Sequence, residues 1–144
     1  MIPGNLYGKC TCLMIHRMVY TSVLLVRDIL SKSPHLRKKQ YNNDPCLLAG
    51  HCYVASEVLY HFLGGKDMGY KPMFIRYLDE PHWFLCSIWG IIDATAEQFS
   101  EPVPYEKARG RGFLTKKPSK RAEEVLKVLR KKYLGIICKE LFLV

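Results

Sequence analysis

Several patterns that would define a functional class at once are missing from this sequence. Charged or polar residues interrupt every hydrophobic stretch, so no apolar run reaches the roughly 18 to 20 residues that a transmembrane helix needs. Paired C-x2-C knuckles and a P-loop signature are absent, and Gly110 and Gly112 do not lie between a strand and a helix, as a dinucleotide loop requires. We therefore predict no membrane association, no bound metal and no cofactor.

A secretory signal is also missing. The most signal-like stretch, Met18 to Val26, runs directly into Arg27 and Asp28 instead of a small-residue cleavage site. Six cysteines are present, and an even number would suit the disulfide framework of a small secreted protein. At 144 residues, however, the chain is long enough to bury a core without such crosslinks. The sequence thus predicts free thiols in a reducing, cytoplasmic compartment.

The chain has an ordinary globular composition with an uneven distribution of charge. Hydrophobic residues make up 49% and aromatic residues 12%, and there is no internal repeat. Length and composition predict one domain over residues 1–144. Nearly all of the net charge of +9 belongs to residues 104–144, where 12 basic residues face 4 acidic ones. We call residues 104–144 the basic C-terminal segment.

The basic C-terminal segment permits two interpretations. A basic patch attracts nucleic acid, anionic lipid or an acidic protein, and its charge alone does not choose among them. The alternative is an ordinary solvated helix face. Few aromatic residues interleave the basic ones, which argues against stacking on a single-stranded nucleic acid. The residues that would form a binding surface are Arg109, Arg111, Lys116, Lys117, Lys120 and Arg121.

The spacing of apolar residues predicts a helix over residues 13–32 that covers the core. Apolar side chains recur there at intervals of three and four, and Pro34 follows the last of them. Residues 1–12 contain several turn-forming residues and are predicted to form an irregular arm. Residues 34–50 carry further turn signals, so we expect them to form a connecting loop.

Two more helices are expected later in the chain. One spans His51 to Leu63, where apolar residues share one face, and ends at the Gly64-Gly65 pair. The other begins after Ser119, whose hydroxyl can cap it. The apolar tail over residues 136–144 fits either a strand or a helix.

Three short strands are predicted between the second and third helices. Alternating and β-branched residues, bounded by turn signals, indicate an antiparallel meander. Residues 100–118 contain three prolines and are expected to be irregular. The predicted strands are Pro72–Leu78, His82–Ile88 and Ile91–Asp93, with turns at Asp79–Pro81 and Trp89–Gly90.

Three residues in this arrangement carry the chemistry of a thiol enzyme. Cys52 lies in the first turn of the second helix, where the helix dipole and unpaired N–H groups favour a nucleophilic thiolate. His82 starts a strand directly after a turn and can serve as general base and acid. Asp93 ends the next short strand, so antiparallel pairing is expected to bring it beside His82 and orient the ring.

The same segments resemble the core of papain-fold cysteine enzymes, above all papain-like deamidase toxins and transglutaminase-like domains. They are also similar to small uncharacterised proteins encoded by bacterial viruses. The resemblance covers about residues 50–99, and Ala94 departs from it because family members commonly have proline after the aspartate. The segments that carry it are Gly50-His51-Cys52-Tyr53-Val54-Ala55-Ser56, Pro81-His82-Trp83-Phe84 and Ile91-Ile92-Asp93-Ala94-Thr95-Ala96-Glu97-Gln98-Phe99.

The resemblance implies an α+β, papain-like domain whose nucleophile helix packs on a small antiparallel sheet, flanked by N- and C-terminal helices. Within it, residues 50–99 would form the core, residues 13–32 a helical cover and residues 104–144 the basic C-terminal segment. It also implies that Cys52 is the nucleophile, His82 the base and Asp93 the residue that orients it. Candidates for the oxyanion site or pocket are His51, Trp83, Asn43 and Gln98, each of which also has an ordinary structural interpretation.

The predicted activity is hydrolysis of a protein or peptide carboxamide through a thioester intermediate. Deamidation, proteolysis and transamidation share that intermediate, and the preference for deamidation comes from the resemblance alone. The substrate would be a protein or peptide, and a host protein if the chain is viral. The alternatives are a binding module that uses the basic C-terminal segment and an inactive relative whose triad serves only for packing.

Overall fold

The structure is a computed structural model that describes the backbone of residues 6–142 and the side chains of residues 13–142. Within these limits it has three α-helices and one four-stranded antiparallel sheet, so the predicted α+β class is confirmed. The helices are α1 (Leu6–Ser31), α2 (Cys52–Phe62) and α3 (Lys120–Phe142). The strands are β1 (Lys71–Tyr77), β2 (Glu80–Ser87), β3 (Gly90–Ile92) and β4 (Arg109–Gly110).

The two long helices extend further than the sequence predicted. Helix α1 begins at Leu6, so the prediction of an irregular arm was wrong for residues 6–12, and residues 1–5 lie outside the described part. The glycine inside this stretch costs only about 1 kcal/mol in a helix, which the helix tolerates. Near the C-terminal end of the described chain, α3 continues to Phe142. The tail that fitted either a strand or a helix is therefore helical over residues 136–142.

The turn between β1 and β2 is shorter than predicted. Leu78 and Asp79 have φ values of +51° and +60°, the left-handed pair that a two-residue hairpin turn requires. The assignment of Glu80 and Pro81 to the turn was therefore wrong, because both belong to β2. As a result, His82 lies inside β2, opposite Ile75 of β1.

The four strands follow the order β3-β2-β1-β4 in the sheet. Strand β4 was not predicted, since it consists of only Arg109 and Gly110 within a segment expected to be irregular. It pairs with Met73 and Phe74 of β1. A two-residue strand carries no periodicity of its own, so only its partner reveals it.

Both faces of the sheet are covered. On one face, Leu85 of β2 joins the main hydrophobic cluster beneath α2. On the other face, Phe84 and Ile75 form a second cluster with Val103, which belongs to the segment after β3. Because side chains alternate along a strand, His82 faces the second cluster, on the same side as Phe84.

The main cluster joins all three helices. Its members are almost fully shielded from solvent, and each buried aliphatic side chain stabilises the fold by roughly 1.5 to 3 kcal/mol. The cluster explains why α1 and α3 pack against α2 although neither contributes to the sheet. The helix residues of the cluster that are least exposed are Val26, Leu30, Val54, Val58, Leu59, Ala122, Val125, Leu126 and Leu129.

A buried carboxylate ties α2 to the start of α3. Glu57 of α2 is fully buried and accepts hydrogen bonds from the backbone N–H of Ser119 at 2.7 Å and from its hydroxyl at 2.8 Å. The Ser119 hydroxyl oxygen in turn accepts the N–H of Ala122 at 3.2 Å, which confirms the predicted cap. The carboxylate also lies at the positive end of the α3 dipole, where a negative charge is stabilised.

Replacing Ser119 tests this junction. We expect Ser119→Ala to lower the free energy of unfolding by roughly 2 kcal/mol, because the helix loses its cap and a buried oxygen of Glu57 loses a donor. Urea denaturation followed by circular dichroism measures the change. Ser119→Thr keeps the hydroxyl, so we expect it to lower the free energy of unfolding by clearly less than Ser119→Ala does. Equal losses for both variants would contradict the hydrogen-bonding explanation.

Candidate active site

Cys52 is the first residue of α2, at the end where backbone N–H groups lack acceptors within the helix. Two residues earlier, Gly50 has a φ of +83°, a left-handed conformation that other residues rarely adopt. A Cβ atom at Gly50 would lie 2.5 Å from the ring of Tyr41. The glycine therefore lets the chain turn closely past Tyr41 and leaves Cys52 at the helix N-terminus.

The loop before α2 is held by a buried arginine that the sequence did not single out. The Nε of Arg37 donates to the carbonyl oxygen of Ala49 at 2.8 Å, and its Nη2 donates to that of Cys46 at 2.7 Å. These charge-assisted bonds give the Ala49 carbonyl oxygen a donor and add a second donor to that of Cys46, which also accepts the N–H of Ala49. They fix the segment that leads into Cys52.

The antiparallel pairing of β2 and β3 brings His82 and Asp93 together. Leu85 is opposite Ile92, so Asp93 follows β3 on the same side of the sheet as His82. The Nε2 of His82 lies 2.6 Å from Oδ2 of Asp93, and the two side chains are 0% and 4% exposed. The predicted neighbourhood of these two residues is thus present, whereas their catalytic roles remain predictions.

Asp93 has a hydrogen-bond donor on each carboxylate oxygen. Oδ2 accepts the hydroxyl of Tyr105 at 2.9 Å in addition to His82, and Oδ1 accepts the backbone N–H of Thr95 at 3.1 Å. Burial, together with the charge and hydrogen bond of Asp93, raises the pKa of Tyr105, which keeps its hydroxyl protonated as a donor. This pairing holds the carboxylate in one orientation towards the imidazole ring.

The second ring nitrogen of His82 faces Gln98. Its Nδ1 lies 3.2 Å from the side-chain nitrogen of Gln98. Burial alone would lower the pKa of His82, but the hydrogen bonds and charges of Asp93 and Cys52 outweigh it and raise the pKa to about 9. At neutral pH the ring then carries both protons, one on Nε2 towards Asp93 and one on Nδ1. If Gln98 is the acceptor of the Nδ1 proton, its amide oxygen must face that nitrogen.

Cys52 itself is nearly closed off from solvent. It is 9% exposed, and its thiol donates to the carbonyl oxygen of Pro81 at 3.6 Å. It opens into a cavity of about 40 Å³, enough for a few water molecules but not for a peptide segment. The cavity is lined by Lys38, Tyr41, Gly50, Cys52, Tyr53, Pro81, Trp83 and Gln98.

Tyr41 forms one wall of this cavity and connects it to the β1–β2 hairpin. Its hydroxyl donates a hydrogen bond to the carboxylate of Glu80 at the start of β2. Burial and the bond to Glu80 raise the pKa of Tyr41 to about 12, so the hydroxyl stays protonated. The bond joins the loop before α2 to β2 beside Pro81, so Tyr41 is one of the side chains that restrict the space around Cys52.

The predicted pocket residues divide into two pairs. Trp83 and Gln98 line the cavity with Cys52, whereas Asn43 is exposed and does not line it. His51 is 1% exposed, and neither of its ring nitrogens has a hydrogen-bond partner among the described residues. Burial, followed by the charges of Arg37 and Arg121, lowers the pKa of His51 to about 4, so the ring is neutral.

The basic residues named from the sequence differ in their surroundings, and their role as a binding surface remains a prediction. Arg109 and Arg111 lie at the β4 edge of the sheet, where both guanidinium groups pack over the ring of Phe74. Arg121 is half-buried, and its Nη1 donates to the carbonyl oxygen of Leu36 at 3.1 Å. The remaining three, which are exposed, are Lys116, Lys117 and Lys120.

Sequence reasoning missed the residues that complete the site. Tyr41 and Tyr105 carry no local pattern that points to a function, and each reaches the site from a different part of the chain. In the described part of the chain, no cluster of three or more His, Cys, Asp or Glu side chains is arranged to hold a metal ion. Its helices likewise include none that is long and apolar enough to span a bilayer.

Comparisons of this chain with protein-family models, with curated proteins and with solved structures find no match.

The His82–Asp93 pair makes stability depend on pH. Because the pKa of His82 is raised from 6.5 to about 9, the folded state holds this proton more tightly than the unfolded state does. The resulting stabilisation, on the order of 3 kcal/mol, is complete below pH 6.5 and lost as the pH rises through about 9. Urea denaturation across this range measures it. Asp93→Asn should make the decline less steep, whereas His16→Gln, at an exposed histidine with no ion-pair partner among residues 13–142, should leave it unchanged.

Removing the Tyr41 hydroxyl tests whether the wall limits access to Cys52. Tyr41→Phe loses the bond to Glu80, so we expect a bulky maleimide to label Cys52 several-fold faster. Labelling of Cys52 by the smaller iodoacetamide should change less, because it needs less opening. Peptide mapping by mass spectrometry separates Cys52 from the other thiols. An equal change for both reagents would show that Tyr41 affects the thiol itself rather than its access.

Proposed function

We propose that this chain is a cysteine hydrolase of papain-like architecture that acts on carboxamide groups of a protein or peptide. The observation that carries the proposal is the grouping of Cys52, His82 and Asp93: the Cys52 thiol contacts the carbonyl oxygen of Pro81, the residue before His82, and His82 contacts Asp93. A thiol at a helix N-terminus lies beside an imidazole whose other nitrogen is held at 2.6 Å from a buried carboxylate. Such an arrangement of nucleophile, base and orienting group is what acyl transfer requires.

In the first half of the reaction, the Cys52 thiolate attacks the carboxamide carbon. A carbon–sulfur bond forms and the carbonyl electrons move to oxygen, where the backbone N–H of Cys52 can stabilise the negative charge. The imidazolium of His82 then donates its Nδ1 proton to the amide nitrogen as the carbon–nitrogen bond breaks. Ammonia or an amine leaves, and a thioester remains on Cys52.

In the second half, water resolves the thioester. His82, now neutral at Nδ1, takes a proton from the water as its oxygen attacks the acyl carbon. The carbon–sulfur bond breaks, a carboxylate product is released and the thiolate returns paired with the imidazolium. Throughout, Asp93 accepts the Nε2 proton in a hydrogen bond and keeps the ring oriented, which is the role of the third member of a triad.

The shape of the site supports deamidation within this class. Cys52 lies at a cavity of about 40 Å³ with Trp83 and Gln98 as neighbours. A main-chain peptide bond would have to bring chain segments on both of its sides into this space, whereas a side-chain carboxamide enters from one side only. We therefore place a glutamine or asparagine side chain of a protein ahead of a peptide bond as the group attacked.

The test of the proposed function is alkylation of the native protein with iodoacetamide over a range of pH, mapped by mass spectrometry. We expect Cys52 to react at mildly acidic pH, and His82→Ala to slow it roughly tenfold or more because the imidazolium partner is lost. Cys46 and Cys86, which are half-buried free thiols, serve as internal controls. Asp93→Asn should slow labelling by a smaller factor.

If Cys52 reacts no faster than the exposed Cys138, the proposed function is wrong. The chain would then fit an inactive relative or a binding module that uses the basic C-terminal segment. If Cys52 reacts faster, the next step is to screen protein substrates for release of ammonia, with Cys52→Ser as the inactive control.

A further inference from the structure

We propose that Arg111 forms an anion-binding subsite at the mouth of the Cys52 cavity, so that the preferred substrate is an acidic peptide segment. The inference rests on the proposed function and narrows its substrate class. It comes from the position of one guanidinium group, which is held against aromatic rings beside the cavity and has no hydrogen-bond acceptor among residues 13–142.

Both ends of Arg111 are held in place. Its guanidinium carbon lies 4.7 Å from the ring centroid of Phe74 and 5.6 Å from that of Trp83. These two rings are cross-strand neighbours in β1 and β2, so they form one surface beneath the arginine. The backbone N–H of Arg111 donates to the carbonyl oxygen of Pro72 at 3.1 Å. The side chain therefore has less freedom to lose on binding than an ordinary surface arginine.

Packing over an aromatic ring occupies the flat face of a guanidinium and leaves its N–H groups pointing outward in the plane. Arg111 is exposed, and among residues 13–142 no acidic side chain forms an ion pair with it. Its donors match the two oxygens of a carboxylate. The group is thus positioned and available for an anion supplied by a ligand.

The proposed subsite lies next to the cavity that contains Cys52, because Trp83 belongs to both. The ring of Trp83 packs against Arg111, and Trp83 is also a lining residue of the cavity that contains Cys52. Lys38 lines the same cavity and adds a second positive charge. The nearby carboxylate, that of Glu80, already accepts the hydroxyl of Tyr41. An acidic substrate residue next to the attacked carboxamide would therefore face more positive than negative charge at the edge of the cavity.

The same residues fit a nucleic acid less well. Single strands bind by stacking bases on open aromatic faces. Trp83 is only 8% exposed, and the arginine covers the surface that it forms with Phe74. An acidic peptide needs no such face, since it is recognised through its carboxylates.

The first test compares two alkylating peptides, the N-iodoacetyl derivatives of Asp-Asp and of Asn-Asn. They have the same length and differ in charge. We expect the acidic probe to label Cys52 roughly tenfold faster, as a charge-assisted pair to arginine implies, and added salt to narrow the gap. Equal rates in the native protein would overturn the inference while leaving Cys52 reactivity, and with it the proposed function, intact.

Three variants assign the charge preference to Arg111. Arg111→Gln should remove most of the preference and leave the rate of the neutral probe within about twofold, since the loss concerns one ion pair. Arg111→Lys should retain part of it, because the charge remains but the two-pronged geometry does not. Arg130→Gln removes an exposed arginine of α3 and is the matched control. Equal slowing of both probes by Arg111→Gln would indicate a structural role and overturn the inference.

A binding measurement tests the subsite even if Cys52 proves unreactive. Cys52→Ser combined with Trp89→Phe leaves Trp83 as the sole tryptophan, so its fluorescence reports binding beside the cavity. The acetylated Asp-Asp peptide should bind at least several-fold more tightly than the Asn-Asn peptide, and Arg111→Gln should abolish the difference. Equal affinities, or tighter binding of a short single-stranded oligonucleotide, would overturn the assignment to an acidic peptide.

Discussion

A carboxylate buried inside a protein must have its oxygens paired, and the candidate site is arranged around the pairing of Asp93. Its partners come from three segments: His82 of β2, Tyr105 from the segment between β3 and β4, and Thr95 two residues along the chain. If one of these segments shifted, the buried carboxylate would lose one of its donors, which costs far more than the loss of a surface hydrogen bond. This constraint fixes the ring of His82 relative to the N-terminus of α2.

Helix α2 connects this site to the rest of the fold. Its first residue, Cys52, faces the site, while Glu57, one and a half turns later, accepts two hydrogen bonds from Ser119 ahead of α3. Two buried carboxylates thus connect separate elements. Asp93 joins β2 to the segment between β3 and β4, and Glu57 joins α2 to the start of α3. The hydrophobic cluster shared by α1, α2 and α3 keeps α2 from moving between them. The position of the thiol is therefore a consequence of packing far from it.

Sequence patterns predicted those parts of the fold that depend on neighbours along the chain. The helix that starts at Cys52, the cap at Ser119 and the β2–β3 hairpin beside Asp93 all follow from local spacing and turn residues. The two-residue strand β4 and the turn at Leu78 and Asp79 could not be predicted in this way, because their form depends on the strands that they join. Turn-forming residues also led us to predict an irregular arm over residues 6–12, where α1 begins.

By itself, the sequence determined the α+β class and the order in which a thiol, an imidazole and a carboxylate follow one another. Periodicity and capping are local properties, so they can be read without the partner that each element meets. Tertiary structure alone decided that Gln98 and Trp83, but not Asn43 or His51, line the cavity that contains Cys52. It also decided that Tyr41 lines this cavity and that Arg111 lies over Trp83. These contacts join segments far apart in the chain, and strand register and helix packing, which no local pattern encodes, bring them together.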